Sequence, residues 1–321
     1  MPTKRQHLSY TRSETSRVDA FLVEYFPGIS RSYIHRLFLD KKVQVNDRTV
    51  RKGHILRPGD LVSIEPFVLP SERRLQPNFT LTLDVVYQTR HYLLINKPSG
   101  IPTHPNDFED TNTISNILIA SFPNAATVFD DPLRPGIVHR LDTNTSGLMI
   151  LALTLEAFHY FRSLFNARLV RKTYTALVIG KISEPGEINF PIAHHHKNHR
   201  KMVALTNKAG GISYRSKPRE AKTLFSPLKI GSSCTLLEVR TLTGRMHQVR
   251  IHLSSIGHPL CGDRLYQSVK HFQQDISGLK HRHFLHASSL SFPDFESKEE
   301  VTYKVGLPLD LQETMNRCFS L

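Results

Sequence analysis

The chain has 321 residues, 39% of them hydrophobic and 22% charged, which is typical of a globular protein and long enough for two domains. Lysine and arginine exceed aspartate and glutamate by 14 charges. No apolar run approaches the roughly 20 residues of a membrane helix, and the polar N-terminus predicts no signal peptide. The three cysteines lack metal-type spacing, so we expect a cytoplasmic protein that uses no metal or other cofactor.

The positive charge is concentrated in one part of the chain. Residues 194–250 contain 12 lysines and arginines, five histidines and only two acidic residues, Glu220 and Glu238. Such a segment favours a polyanionic partner, with nucleic acid as the first candidate, although a solvated basic surface has the same composition. His195 and His199 have the i, i+4 spacing of metal ligands. Their lysine and arginine neighbours favour a basic RNA-facing loop instead.

The first 66 residues predict a small basic module behind a flexible tail, residues 1–15. Val18, Leu22 and Phe26 recur on one helical face, and Pro27 and Gly28 end that helix. Ser30 is a suitable cap for a second helix, which carries apolar and basic faces. Short β-rich segments follow at residues 43–45, at residue 50 and at residues 61–64.

The remainder of the chain predicts a larger domain over residues 81–310. A proline-containing linker, residues 67–80, precedes it, and residues 311–321 are interpreted as a C-terminal tail. The β-rich or apolar segments predict strands at residues 84–87, 91–95, 148–153, 170–179 and 236–240. A helix of about 12 residues should begin after Thr154, its predicted N-cap.

The central feature of the larger domain is a polar turn from His139 to Gly147, which leads into the apolar run 148–153. The turn carries a single carboxylate, Asp142, beside Arg140 and a group of hydroxyl side chains. A strand at its end would hold a catalytic side chain rigidly. The same composition is also common in ordinary loops, where these side chains bond to nearby backbone.

The motif His139-Arg-Leu-Asp-x-x-Thr-Ser-Gly147 resembles the signature of the RluA-type pseudouridine synthases. Other segments resemble further motifs of that family: Lys97-Pro-x-Gly followed by His104-Pro, Lys172-x-Tyr174-x-Ala176, Thr243-Gly-Arg-x-His-Gln-x-Arg250, and the late strand 282–293. Met246 stands where the family usually has threonine. The resemblance extends over roughly residues 16–310.

This resemblance implies an α+β fold, with a mixed, mainly antiparallel central sheet and flanking helices around a cleft. It also implies an isomerase that detaches uracil from its ribose and rejoins it through C5. Asp142 would be the catalytic carboxylate, kept ionised by Arg245, and Tyr174 would face the uracil and help to remove the C5 proton. Arg140 would fill the space left by the flipped base. The further expected substrate contacts are His139, Thr145 and Lys172, whereas Lys97 and His104 would be architectural.

Residues 16–66 resemble the S4 RNA-binding domain, through the segments 30–34, 43–46 and 57–60. In such domains a helix and an adjacent loop lie on folded RNA. The expected RNA contacts are Arg31, Arg36, Lys41 and Lys42. With this domain order we expect a monomer that acts on large-subunit ribosomal RNA, with transfer RNA as the alternative.

Two other functions use the same residues. A catalytically silent RNA-binding assembly factor would need the basic surfaces but not Asp142, Tyr174 and Arg245 together. A hydrolase could use Ser146, His139 and Asp142, but the sequence lacks a glycine-flanked nucleophile elbow.

Overall fold

The computed structural model describes residues 4–27, 29, 31–67, 74–206 and 213–320, without the side chain of Ser32. The chain divides into two compact units at residues 74 and 75. The predicted cap Ser30 and residues 68–73 of the predicted linker lie outside the described residues. Within the described ranges, every helix is too short or too polar to span a lipid bilayer.

The N-terminal unit consists of two helices and short antiparallel strands around its own apolar core. Its sheet has the order β1-β6-β3-β4, and a separate pair joins β2 and β5. Val18, Leu22, Ile34 and Val62 are fully buried between the helices and the sheet. The elements are β1 (Gln6–Ser9), β2 (Ser16–Arg17), α1 (Val18–Tyr25), α2 (Arg31–Leu39), β3 (Val43–Val45), β4 (Arg48–Thr49), β5 (Ile55–Leu56) and β6 (Leu61–Ile64).

The interpretation of residues 1–15 as a flexible tail is wrong for most of the described part. Gln6–Ser9 forms the edge strand β1, which pairs antiparallel with β6 in the register Gln6 to Ile64. Tyr10 is buried, its ring packs edge-on against Phe21 at 5.2 Å, and its hydroxyl donates to the carbonyl of Glu14. The pairing joins residues more than 50 positions apart, so the local sequence could not indicate it.

The C-terminal unit begins at Leu75 and carries the predicted catalytic residues, so we call it the catalytic unit. It is built on a nine-stranded sheet of the order β11-β14-β15-β10-β16-β9-β8-β7, with β17 added beside β16. Its neighbouring strands are antiparallel except for β16 and β9, which run parallel, so the predicted mixed, mainly antiparallel sheet is confirmed. A small hairpin of β12 and β13 lies outside it. The strands are β7 (Val85–Gln88), β8 (Tyr92–Lys97), β9 (Ser146–Ala152), β10 (Arg171–Ile179), β11 (Gly186–Ile188), β12 (Ile192–His194), β13 (Met202–Ala204), β14 (Thr223–Ile230), β15 (Cys234–Thr241), β16 (Leu285–Pro293) and β17 (Glu300–Lys304).

Helices cover the sheet and bury its central strands. All seven residues of β9 are buried, as expected for an apolar run covered on both faces. Thr154 caps the following helix by accepting from the backbone N–H of Ala157, which confirms the predicted 12-residue helix. The helices of this unit are α3 (Ile114–Ser121), α4 (Leu155–Asn166), α5 (Gln248–Ser255), α6 (Val269–Gln274) and α7 (Leu309–Phe319), together with one 3₁₀ turn (Pro123–Thr127).

The interpretation of residues 311–321 as a tail is also wrong, because α7 packs on the sheet. Leu311, Thr314 and Cys318 are buried, and they recur at the spacing of one helical face. Here the sequence did contain the signal, in the i, i+3 and i+7 positions of these three residues.

Candidate active site

Hydrogen bonds from the segment 97–103 hold the turn that carries Asp142 in place. Lys97 is fully buried, and its ammonium donates to the carbonyls of Pro98, Ile101 and Thr143 at 2.7, 2.7 and 3.0 Å. The hydroxyl of Thr103 donates to the carbonyl of Leu141 at 2.9 Å. Burial lowers the pKa of Lys97 to about 7. This segment therefore positions the turn, as the resemblance implied for Lys97.

The turn ends where β9 approaches β16 closely. Gly147 has φ +117°, and an added Cβ would collide with the backbone of Ala287 on the parallel neighbour strand. Only glycine combines this left-handed conformation with this contact. Gly147 thus sets the distance between the two strands that flank the turn.

The carboxylate of Asp142 belongs to a buried chain of charges. Arg250 donates from Nη1 to Asp142 Oδ2 at 3.1 Å, and from Nε and Nη2 to the two oxygens of Asp263 at 2.8 and 3.0 Å. The side chains of Asp142, Arg250 and Asp263 are 17%, 10% and 1% exposed. Asp263 therefore holds the guanidinium by a bidentate pair, and the remaining nitrogen faces Asp142.

This chain of charges keeps Asp142 ionised. Burial by itself would raise the pKa of Asp142, but His247, Arg250 and His283 together lower it below its usual value. Burial lowers the pKa of both histidines, so Arg250 is the partner that stays charged at neutral pH. The site therefore contains a carboxylate that stays ionised at neutral pH.

The expectation that Arg245 is the partner of Asp142 is wrong. Arg245 Nε donates instead to the carbonyl of Glu220 at 2.9 Å, at the partly exposed edge of the site. Gln248 fixes this loop, because its Oε1 accepts from the backbone N–H of Arg245 at 3.0 Å and from the hydroxyl of Thr243 at 2.8 Å. Arg250 lies inside α5, five residues later, and that helix directs it toward Asp142. Both arginines belong to the same motif, so the motif alone did not distinguish them.

His247 precedes α5 in a left-handed conformation, with φ +55°, and its Nε2 lies 3.8 Å from Asp142 Oδ2. The hydroxyl of Tyr266 accepts from the backbone N–H of Met202 and lies 2.9 Å from His247 Nδ1. Tyr266 therefore fixes the ring of His247 beside the carboxylate. Sequence reasoning assigned no role to His247, although it lies in the motif 243–250, nor to Asp263 and Tyr266, which lie 13 and 16 residues beyond that motif.

Tyr174 lies on β10, is 7% exposed and lines the cavity that contains Asp142. Burial, and then the negative charge of Asp142, raise the pKa of its phenol above the usual value. Lys172 lies two residues earlier on the same face of the strand, and burial lowers its pKa to about 8. The cavity thus combines a neutral aromatic wall with a nearby amine.

Two of the residues expected to contact the substrate also support the turn. His139 stacks on Phe165 at 4.5 Å, and its Nε2 accepts from the backbone N–H of Ile150 at 3.0 Å. Thr145 is 2% exposed, and its hydroxyl lies 2.8 Å from His283 Nε2. His139 Nε2 and the hydroxyl of Thr145 thus support the turn, whereas His139 Nδ1 has no hydrogen-bond partner among the described residues. Arg140, in contrast, is exposed and lines the cavity as expected.

The geometry does not favour a hydrolase that uses Ser146. Its hydroxyl is buried, accepts from Arg282 Nη2 at 2.7 Å and lies 2.9 Å from His286 Nδ1. His139 bonds to the backbone of β9 instead, so Ser146, His139 and Asp142 form no relay.

The cavity above Asp142 has a volume of about 400 Å³. Its walls come from the Asp142 turn, the end of α4, β10 and the motif 241–250, so the end of the basic segment does line it. Among the described residues, no cluster of three or more histidine, cysteine or acidic side chains is arranged to hold a metal ion.

Comparisons with known proteins identify the family of this chain. A family model described as RNA pseudouridylate synthase matches residues 91–255, and the S4 domain model matches residues 16–62. A protein of Yersinia pestis named ribosomal large subunit pseudouridine synthase D is 33% identical over 321 aligned residues, covering 96% of this chain and 94% of the relative. A Synechocystis protein named as an uncharacterized RNA pseudouridine synthase is 32% identical, covering 93% and 88% of the two chains.

A solved structure resembles a large part of this chain. Human RNA pseudouridylate synthase domain containing 4 aligns with a TM-score of 0.56 and 27% identity, covering 73% of this chain and 92% of the human chain.

Proposed function

The chain belongs to the RNA pseudouridylate synthase family and is an isomerase, and we propose that it converts uridine to pseudouridine in large-subunit ribosomal RNA with Asp142 as the catalytic carboxylate. The observation that carries the proposal is the buried pair of Asp142 and Arg250, which places one ionised carboxylate at the base of a cavity of about 400 Å³.

The reaction breaks the bond between uracil N1 and ribose C1′ and forms a bond between uracil C5 and C1′. The proton on C5 is lost and N1 gains one, so the product is an isomer of the substrate. A carboxylate can act here as a nucleophile or can stabilise positive charge that develops at the sugar. Asp142 fits either role, because Arg250 keeps it ionised while one of its edges faces the cavity.

Tyr174 would form the apolar wall against which the uracil ring stacks. Its raised pKa keeps the phenol protonated at neutral pH, so it would accept the C5 proton poorly as a phenolate. We therefore assign Tyr174 to positioning of the base. Removal of the C5 proton falls to another group or to water.

The target base must leave its stack to reach Asp142, at a cost of a few kcal/mol. Arg140 is exposed at the edge of the cavity, and its flat guanidinium can stack on the bases beside the vacated position. Arg245, at the same edge, would contact the RNA backbone, because its backbone partner leaves part of the guanidinium exposed.

The choice of RNA rests on the relatives and on the N-terminal unit. Several relatives are named for the large ribosomal subunit, and residues 16–62 match an S4 domain. Arg31, Arg36 and Lys41 are exposed on or directly after α2, and Lys42 donates weakly to the carbonyl of Pro66 at 3.4 Å. We infer that this face contacts the phosphates of folded RNA.

The test is release of tritium from uracil C5 of transcribed large-subunit ribosomal RNA. The intact protein should release tritium, and Asp142→Asn should slow release by on the order of 10²–10³-fold or more, because the amide cannot supply the negative charge. Asp84→Asn is the matched control, since Asp84 is an exposed acid that bonds only to Asn96 among the described residues. Tight RNA binding without release by the intact protein would support the assembly-factor function instead.

A further inference from the structure

A second cavity, of about 160 Å³, borders the start of the Asp142 turn. We call it the arginine pocket, and the residues that define it here are His104, Asp131, Arg134, His139, Arg140 and Arg162. Val138, His139 and Arg140 also line the catalytic cavity, so the two spaces share these three residues.

The arginine pocket carries more positive than negative charge. Three arginines line it against one acidic residue, Asp131, which pairs with Arg134 at 3.3 Å. Arg162 pairs with Asp130 at 3.2 Å and lies over the ring of Phe158. Within the part of the chain that the structure describes, Arg140 makes no ion pair within 4.0 Å. The positive charge in the pocket therefore exceeds what its own acidic residues balance.

Two buried histidine nitrogens in the walls lack a hydrogen-bond partner among the described residues: Nδ1 of His104 and Nδ1 of His139. Because His139 Nε2 accepts from Ile150, its neutral ring carries the proton on Nδ1 and offers a donor. Burial, and then the charges of Arg140 and Arg134, lower the pKa of His104 to about 4, so its ring is also neutral. A buried polar atom without a partner costs roughly 1–3 kcal/mol, which a polar ligand would recover.

We propose that the arginine pocket binds the phosphate and ribose of a nucleotide adjacent to the target uridine. This inference rests on the proposed function, because it places the target base in the catalytic cavity. The RNA backbone would then run past Arg140, from the catalytic cavity to the arginine pocket. Guanidinium groups match phosphate oxygens in pairs, and neutral histidines can bond to ribose hydroxyls.

The arrangement gives this pocket a role in substrate affinity. Arg134 and Arg162 line the arginine pocket but not the catalytic cavity. They should therefore affect the capture of RNA and leave the chemical step unchanged. Arg140 borders both spaces and is left intact in the test for that reason.

The experiment compares the intact protein with Arg134→Gln/Arg162→Gln in single-turnover tritium release, over a range of protein concentrations and salt. The half-saturating concentration should rise about 10-fold or more, and the slope of log K against log salt should fall by about 1 for each lost phosphate contact. The maximal rate should change less than about twofold. Arg90→Gln is the control, because Arg90 forms a surface ion pair with Glu296 outside both cavities.

Equilibrium binding of the same RNA to Asp142→Asn, with and without the pocket substitutions, separates this inference from the proposed function. If neither the intact protein nor any variant releases tritium, the proposed function is wrong. Weaker RNA binding by the protein with the pocket substitutions than by the protein without them would still support an RNA site in the arginine pocket. A pocket variant that matches Arg90→Gln in both affinity and salt slope overturns the inference, whatever the activity. If the double variant does not fold, Arg134→Gln and Arg162→Gln are tested singly, and unchanged affinity and salt slope in both variants overturn the inference equally.

A synthetic stem-loop that contains the target uridine identifies the phosphate that the arginine pocket binds. One phosphate beside that uridine is replaced by a neutral methylphosphonate. The substitution should weaken binding to the intact protein and have little additional effect on the pocket variant. Equal losses in both proteins, at each of the two flanking phosphates, would show that the pocket holds neither of them.

Discussion

The N-terminal unit and the catalytic unit both depend on cationic side chains, but they place them in opposite environments. Arg31 and Lys41 of the N-terminal unit are exposed to water, whereas Arg250 of the catalytic unit is almost buried between two carboxylates. An exposed charge interacts weakly and is screened by salt. A buried charge whose partner is removed costs several kcal/mol. The two units should therefore respond very differently to the loss of one cation.

The largest effect is expected for Arg250→Met, which leaves Asp142 and Asp263 without their shared partner. We expect a loss of roughly 3–5 kcal/mol in the free energy of unfolding, because two buried carboxylates become uncompensated. Activity at neutral pH should fall on the order of 10²-fold or more, since the pKa of Asp142 would rise. Denaturant unfolding and tritium release measure the two effects.

Arg245→Gln is the matched control for this prediction. It removes the other arginine of the same motif, whose Nε contacts only a backbone carbonyl among the described residues. We expect the unfolding free energy to change by less than about 1 kcal/mol. An equal loss of stability in the two variants would contradict the assignment of Arg250 as the buried partner.

A smaller effect is expected for Asp263→Asn, which keeps the shape of the side chain but removes its charge. The amide presents a donor to the guanidinium, so the bidentate pair is lost while Arg250 still pairs with Asp142. We expect a loss of roughly 1–3 kcal/mol in the unfolding free energy, less than for Arg250→Met. A stability equal to that of the intact protein would show that Asp263 does not hold Arg250.

The pH dependence of stability tests the burial of His104. Below pH 6.5 the unfolded chain takes up a proton at this position, but the folded chain does not until about pH 4. The unfolded state therefore binds more protons in this window, and stability falls as the pH drops through it. Between pH 7 and 5 the intact protein should lose about 1–2 kcal/mol more than His104→Asn.

Thermal or denaturant unfolding at the two pH values measures this difference. His54→Asn, which replaces an exposed histidine of the N-terminal unit, should retain the pH dependence of the intact protein. If His104→Asn loses as much stability as the intact protein, the ring of His104 is not buried in the neutral form.

The smallest effect is expected for Arg31→Ala, at the start of α2. We expect RNA binding to weaken by about 0.5–1 kcal/mol, with a salt slope smaller by about 1, and no change in the maximal rate of tritium release. Filter binding at several salt concentrations measures both quantities. A loss of rate at saturating protein would contradict the view that the N-terminal unit only captures RNA.

The sequence by itself determined most elements of the fold and the identity of the central carboxylate. Strands such as β9 and β10 follow from continuous apolar or β-rich runs, and the capped helix α4 follows from Thr154 and its apolar spacing. These features depend on neighbours within a few residues, so a local pattern specifies them. The turn with Asp142 was recognisable because its residues are consecutive.

Tertiary structure alone decided which side chains meet. The partner of Asp142 is Arg250 rather than Arg245, because His247 adopts a left-handed conformation and starts α5 in an orientation that the motif does not specify. Strand β1 became part of a sheet only through pairing with β6, about 55 residues later. His139 and Thr145 were occupied by Ile150 and His283, contacts that no local pattern encodes. In each case, the interaction joins two chain segments that come together only when the whole unit packs. A local sequence pattern therefore cannot specify it.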